Sequence, residues 1–148
     1  MRAVVQRVAR AAVVVDQEEV GAIGPGLCVL LSVAPDDDEQ IARHLAGRIA
    51  TLRILADGQG KMNLDVGATG GAVLVVSQFT LHAGTSRGHR PSFMGAAPPE
   101  LAERLYLRFA EALRVLGVPV ATGRFGAVMA VELVNDGPFT IWLDTADH

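Results

Sequence analysis

A chain of 148 residues, half of them hydrophobic and 20% charged, can bury a core without disulfides or structural metal and is too apolar to be disordered. Its length suggests one domain over residues 1–148, and a formal charge of −3 excludes a protein that coats nucleic acid through a basic surface, though not local contact with a few phosphates. The single cysteine, Cys28, has no partner for an intramolecular disulfide and lies in Leu27-Cys28-Val29-Leu30-Leu31, the setting of a buried core thiol.

Near the N-terminus, Gln6, Arg7 and Arg10 interrupt the valines, so no signal stretch is formed, and no run of about 18 apolar residues follows. A cytoplasmic protein with no membrane partner is expected. Residues 2–9 and 11–15 read as strands, followed by a polar turn at Asp16-Gln17-Glu18 and strands over 19–23 and 27–33 separated by Gly24-Pro25-Gly26. Acidic residues at 36–39 open a helix, and Ile41, Leu45, Ile49, Leu52 and Leu55 continue its apolar stripe until Asp57-Gly58. Gly67, Gly70 and Gly71 fit a turn before the strand Ala72-Val73-Leu74-Val75-Val76. Residues 82–97 form the longest irregular stretch, a candidate wall of a site. Within it Arg87, His89 and Arg90 read either as a solvated loop or as contacts for one or a few phosphates. Pro98-Pro99-Glu100 opens a second helix with Leu101, Leu105, Phe109, Leu113 and Leu116 on one face and Gly117 at its end. Strands resume over 126–134 and 140–143. The order predicts a layered α/β or α+β domain with both helices on one face of a sheet.

Two polar segments, Ser77-Gln78-Phe79-Thr80-Leu81 and Asn135-Asp136-Gly137-Pro138-Phe139-Thr140, follow strand-like apolar runs, the place where a rigid scaffold presents functional groups. Ser77 and Thr80 carry hydroxyls that are weak nucleophiles without a base, and His82 is the one base nearby in sequence. In an extended segment Thr80 and His82 share a face, while Ser77 and Phe79 take the other. Equally, both hydroxyls suit bonds to neighbouring backbone. His44, His82, His89 and His148 have no metal-ligand spacing, so no metal is expected. Gly137-Pro138 combines conformational freedom with a missing N–H, and sequence alone favours an ordinary trans turn there.

Four blocks taken together, Ser77-Gln78-Phe79-Thr80-Leu81, Gly88-His89-Arg90-Pro91-Ser92-Phe93, Gly123-Arg124-Phe125-Gly126-Ala127-Val128-Met129 and Asn135-Asp136-Gly137-Pro138-Phe139-Thr140, resemble the D-aminoacyl-tRNA deacylase family. The resemblance implies a homodimer of three-layer α/β/β domains with mixed, largely antiparallel sheets and two main helices. It also implies hydrolysis of the ester of D-aminoacyl-tRNA, and of glycyl-tRNA mischarged on tRNA-Ala, with the tRNA acceptor end as partner. Gly137 and Pro138, joined by a cis bond, would project into the partner subunit's pocket as a chiral filter, with Asn135 beside them and Arg7 bracing their loop through main-chain carbonyls. Phe125 and Met129 would line the pocket of the terminal adenosine, with core packing the alternative for both. Ser77, Gln78, Phe79 and Thr80 would line the reacting ester, their main-chain amides from 78 to 80 facing the carbonyl oxygen, and the terminal 2′-hydroxyl of the tRNA would help to activate water, a mechanism that implies no cofactor. Two positions depart from the family's pattern: His82 stands where tyrosine is common, and Phe139 replaces a smaller aliphatic residue. A pocket widened by a trans Gly-Pro bond, admitting certain L-aminoacyl-tRNAs, and a non-catalytic RNA-end binding module are the competing readings.

Overall fold

The structure, a computed structural model, describes residues 1–147. Strand β1 (Arg2–Val15) runs without a break through Ala9 and Arg10, where two strands are expected from sequence. Its neighbours explain the continuity. One edge pairs along nearly its whole length with β8 (Ala130–Asp144), while the other is shared between β2 (Glu18–Ile23) and β3 (Gly26–Ser32). The ladder therefore carries the chain across exposed Ala9 and Arg10, at the cost of register shifts around Val8. Asp16 and Gln17, with φ of 49° and 65°, make the two-residue turn into β2, as hairpin twist demands.

Helix α1 (Glu39–Ala50) begins where the Asp38 side chain accepts a hydrogen bond from the Ile41 amide. It stops five residues short of Leu55, with Thr51 as its C-cap. Ile54 and Leu55 are apolar because the segment leading into β4 (Leu55–Ala56) turns back into the core, not because the helix continues. Strand β4 pairs with β5 (Met62–Leu64) in a separate two-stranded ribbon. The main sheet gains β6 (Ala72–Ser77), parallel to β3, and β7 (Val120–Thr122), parallel to β6. Strand β7 spans three residues, too short to show a period in the sequence. Residues Phe79–His82 form a 3-10 helix and α2 occupies Pro99–Val115.

The last strand also differs from expectation. It starts at Ala130, leaving 126–129 irregular, and continues through Asn135, Asp136, Gly137 and Pro138 to Asp144 as one strand, with its register against β1 shifted where the loop is accommodated.

A mixed sheet with strand order β2-β1-β3-β6-β7 and β8 on the far edge of β1 thus carries two helices. Alternation divides the interior between its faces. Leu27, Val29, Leu31, Val73 and Val75 meet Leu45 and Ile49 of α1 and Leu105, Phe109 and Leu113 of α2. On the opposite face, Cys28, Leu74 and Val76 join Val8, Val13 and Val15, with Met129, Val131 and Leu133 packed against them. Strands buried on both sides read as continuous apolar runs, which explains the composition of β3 and β6. At Gly21 an added Cβ would lie 2.3 Å from the Thr122 carbonyl oxygen, so the sheet curls until β2 and β7 touch.

Candidate functional site

Between the end of β6, the start of α2 and the segment before β8 lies a cavity of about 540 Å³. Ser77, Gln78 and Phe79 form part of its wall, and Phe125 and Met129 another. They meet there because β6 delivers the first three to the sheet's edge, while the irregular chain after β7 crosses the same end. Phe125 leans on Tyr106, with ring centroids 5.8 Å apart, and Tyr106 is itself anchored where its hydroxyl donates to the Val75 carbonyl at 3.0 Å. Burial raises the Tyr106 phenol above its ordinary range, which keeps it a donor. Phe125 and Met129 are half-buried, each packed against one of the two cores while also facing the cavity, so pocket and core roles coexist.

Phe79 is 53% exposed and meets Phe93 edge-on at 5.2 Å, placing a second aromatic pair at the cavity wall. Exposed aromatic surface beside an apolar cleft is suited to a flat partner. Thr80 does not line the cavity. Its hydroxyl is 2.5 Å from the side-chain Nε2 of Gln78, which donates to it. The expected sharing of a face by Thr80 and His82 does not arise, because the segment coils into the 3-10 helix instead of remaining extended. His82 pairs through Nδ1 with Ser32, away from Thr80.

Of the three amides from 78 to 80, the first is committed to the sheet: Gln78 N–H donates to the Leu31 carbonyl at 2.8 Å. The turn's first internal bond is from Leu81 N–H to the Gln78 carbonyl, so the Phe79 and Thr80 amides precede it at the turn's opening.

Arg7, Asn135, Gly137 and Pro138 form a second cluster, none of it lining the cavity. Arg7 Nε donates to the Asp136 carbonyl at 2.9 Å and its Nη1 to the Ile54 carbonyl at 2.8 Å, while the guanidinium lies 5.0 Å from the Phe139 ring centroid. Asn135 closes the loop from inside: its Oδ1 accepts from the Phe139 amide at 2.8 Å and its Nδ2 donates to the Thr140 hydroxyl at 3.0 Å. The Gly137–Pro138 peptide is cis, in place of the trans turn favoured by sequence alone. Gly137 has φ of 136°, and a Cβ there would come 2.8 Å from the Arg7 guanidinium.

Phe93, Ala96 and Ala97, from the irregular stretch 82–97, also line the cavity, whereas Ser32 and Tyr106 line it without any signal in the sequence. Ser32 is buried, with 2% of its surface exposed. The basic residues Arg87, His89 and Arg90 occupy an exposed loop closed by a bridge between Gly84 and Ser92. Among the described residues no three His, Cys, Asp or Glu side chains gather as a metal site, and no helix is long and apolar enough to cross a membrane. His148 lies outside the described residues.

An α/β domain whose cleft combines ring surfaces with the polar end of a strand has the character of a small-substrate or nucleotide-end binding enzyme. Comparison with known proteins makes this specific. The family model for D-Tyr-tRNA(Tyr) deacylase matches residues 4–144. The D-aminoacyl-tRNA deacylase of Paracoccus denitrificans is 60% identical, the match covering 100% of this chain and 99% of the relative. That of Deinococcus radiodurans is 59% identical over 97% of this chain and 99% of the relative. A solved structure described as c-Myc DNA Unwinding Element Binding Protein superposes with a TM-score of 0.93 at 42% identity, covering 98% of this chain and 99% of that one. A probable eukaryotic D-amino acid tRNA deacylase shares the fold, with a TM-score of 0.83 at 20% identity and coverage of 96% and 97%. The chain belongs to the D-Tyr-tRNA(Tyr) deacylase family and is a hydrolase of the D-aminoacyl-tRNA deacylase type.

Proposed function

We propose that the cavity receives the aminoacylated terminal adenosine of tRNA, and that the protein hydrolyses the ester of D-aminoacyl-tRNA and of glycyl-tRNA mischarged on tRNA-Ala. The observation that carries this reading is one cleft of about 540 Å³ with Phe125 and Met129 in its wall together with Ser77, Gln78 and Phe79. A base face needs apolar surface for stacking, and the ester attached to it needs donors within reach.

In this reading water attacks the ester carbonyl carbon, and the Phe79 and Thr80 amides receive the charge that develops on its oxygen. The bond to the ribose 3′-oxygen then breaks, that oxygen takes up a proton, and free tRNA and the amino acid leave. Ser77, Gln78 and Thr80 hold the segment in shape, and the terminal 2′-hydroxyl of the tRNA assists the attacking water. The bond between Gln78 and Thr80 supports a structural task for that hydroxyl.

Chirality is assigned to Gly137 and Pro138, braced by Arg7 and Asn135. A fixed backbone pair on the side where an L side chain would point rejects L-esters by exclusion, and glycine escapes because it has no side chain. The pair is exposed and does not line its own chain's cavity. That arrangement suits a filter given to a second copy, in a cytoplasmic homodimer of three-layer α/β/β subunits. Exposed Val134 and Trp142 on β8 support a partner at this edge.

Hydrolysis of D-tyrosyl-, L-tyrosyl- and glycyl-tRNA at catalytic protein concentrations, against spontaneous ester loss, tests the reading. Cleavage of the D and glycyl esters with the L ester spared is expected. Equal cleavage of the L ester would remove the filter, and protection of all three esters would replace the enzyme with a binding module.

A further inference from the structure

Ser32 is 2% exposed at the end of β3, and it touches three things: the cavity, His82 and the backbone of Phe79. Its Oγ lies 2.5 Å from His82 Nδ1 and 3.3 Å from the Phe79 carbonyl oxygen. A serine hydroxyl has one proton, so it can donate to only one of these acceptors at a time. Both contacts are hydrogen bonds only when His82 carries a proton on Nδ1: the ring then donates to Oγ, and Oγ–H donates to the Phe79 carbonyl.

The Phe79 carbonyl belongs to the same peptide unit as the Thr80 amide. In a trans peptide C=O and N–H point in opposite directions, so holding the carbonyl toward Ser32 sets the direction of the Thr80 N–H. A second tie lies two residues on. Arg2 Nη1 donates to the Leu81 carbonyl at 2.9 Å, while its Nε is held by Asp144 at 2.8 Å. The short turn is thus fixed through its carbonyls from the sheet side.

We propose that Ser32 and His82 are a positioning pair for the reaction, a relay from His82 Nδ1–H through the Ser32 hydroxyl to the Phe79 carbonyl that aims the Thr80 amide at the substrate carbonyl. The inference rests on the oxyanion role given above to that amide. It assigns a task to His82, which the proposed reaction otherwise leaves unused, and to Ser32, which has no sequence signal. His82 acts here through its hydrogen-bond geometry and not as a base. Burial, followed by the positive charges of Arg2 and the N-terminal ammonium, holds the ring's pKa below its ordinary value, with Asp37 and Asp144 acting in the opposite direction. The ring is therefore neutral at neutral pH, and one nitrogen is free to keep its proton toward Ser32.

Asparagine separates geometry from titration, because its Nδ2–H replaces the histidine Nδ1–H and has no proton to lose. Single-turnover hydrolysis of D-tyrosyl-tRNA by Ser32→Ala and His82→Ala is expected to slow by roughly 10- to 100-fold with KM nearly unchanged, since a small misplacement of a catalytic group is felt mainly in the chemical step. The double variant should be no slower than the worse single one, and His82→Asn should recover most of the rate with a pH profile shaped like that of the parent. A folded Ser32→Ala protein at the parental rate, or a His82→Asn protein as slow as His82→Ala, would overturn the pair. Long-range proton–nitrogen NMR of the parent protein reads the tautomer without substrate and so does not depend on the oxyanion reading. Nδ1–H is expected, and a proton resident on Nε2 alone would sink the relay. If NMR gives Nδ1–H while the alanine variants keep full activity, the oxyanion role of Thr80 fails and the hydrogen-bond chain survives as architecture.

Discussion

Phe125 belongs to two environments, since it packs against Tyr106 and also forms cavity wall. Truncation to alanine should weaken binding of an uncharged tRNA acceptor end by about 1–3 kcal/mol, the usual worth of one stacked base. Equilibrium binding of Phe125→Ala checks this, with unfolding midpoints measured in parallel, and unchanged affinity in a folded variant would leave Phe125 a core residue. His82 allows a second test at this scale. Its folded pKa is lowered from 6.5, so the unfolded chain takes up the proton first as the solution is acidified. Stability is therefore lost as pH falls from 6.5 toward the folded value and levels off below it. Denaturant titrations of the parent and His82→Asn across that window should diverge, the parent losing stability to acid while the variant lacks this contribution. Parallel curves would mean that the ring titrates alike in both states.

Individual elements are set by pattern until packing intervenes. The stripe from Ile41 to Ile49 reports α1 correctly, but Leu52 and Leu55 extend the apolar spacing beyond the helix because a hydrophobic residue in a returning loop is buried as readily as one on a helix. Residues 79–82 show the converse, since no period distinguishes a four-residue 3-10 helix from a strand end, and the coil moves His82 from Thr80 to Ser32. At Gly21, β2 comes into close contact with Thr122 of β7. Gly21→Val should force these strands apart and cost about 1–3 kcal/mol in stability, the range for inserting methylenes into a packed interior. Thermal or denaturant unfolding measures it. A variant as stable as the parent would show that the contact yields freely.

For the whole molecule, the proposed filter and the cavity are at separate places on one chain. Activity under that proposal requires two copies. Sedimentation should give twice the mass of the 15.6 kDa chain, and rates should fall with dilution below the dissociation constant. A monomer that retains full activity and D-selectivity would require the filter to act in cis. Strand β8 is the proposed contact because it forms an edge of the sheet and leaves Val134 and Trp142 exposed, a combination that invites pairing with another chain.

Sequence by itself determined the amphipathic helices, most strands, the burial of Cys28 and the polar segments around Ser77 and Gly137, because each is encoded by neighbours within a few residues. The thiol is fully buried, with its pKa pushed up to about 11, as expected for its apolar run. Tertiary structure decided which of those segments share a cavity: Ser77, Gln78 and Phe79 join Phe125 and Met129, while Arg7 turns to the Asp136 carbonyl. It also withdrew the Gln78 amide into the sheet and brought buried Ser32 to His82, fifty positions along the chain. Such contacts arise where strands and turns cross, and the residues that make them need no periodicity, only a hydrogen-bonding group at the right place once the sheet has closed.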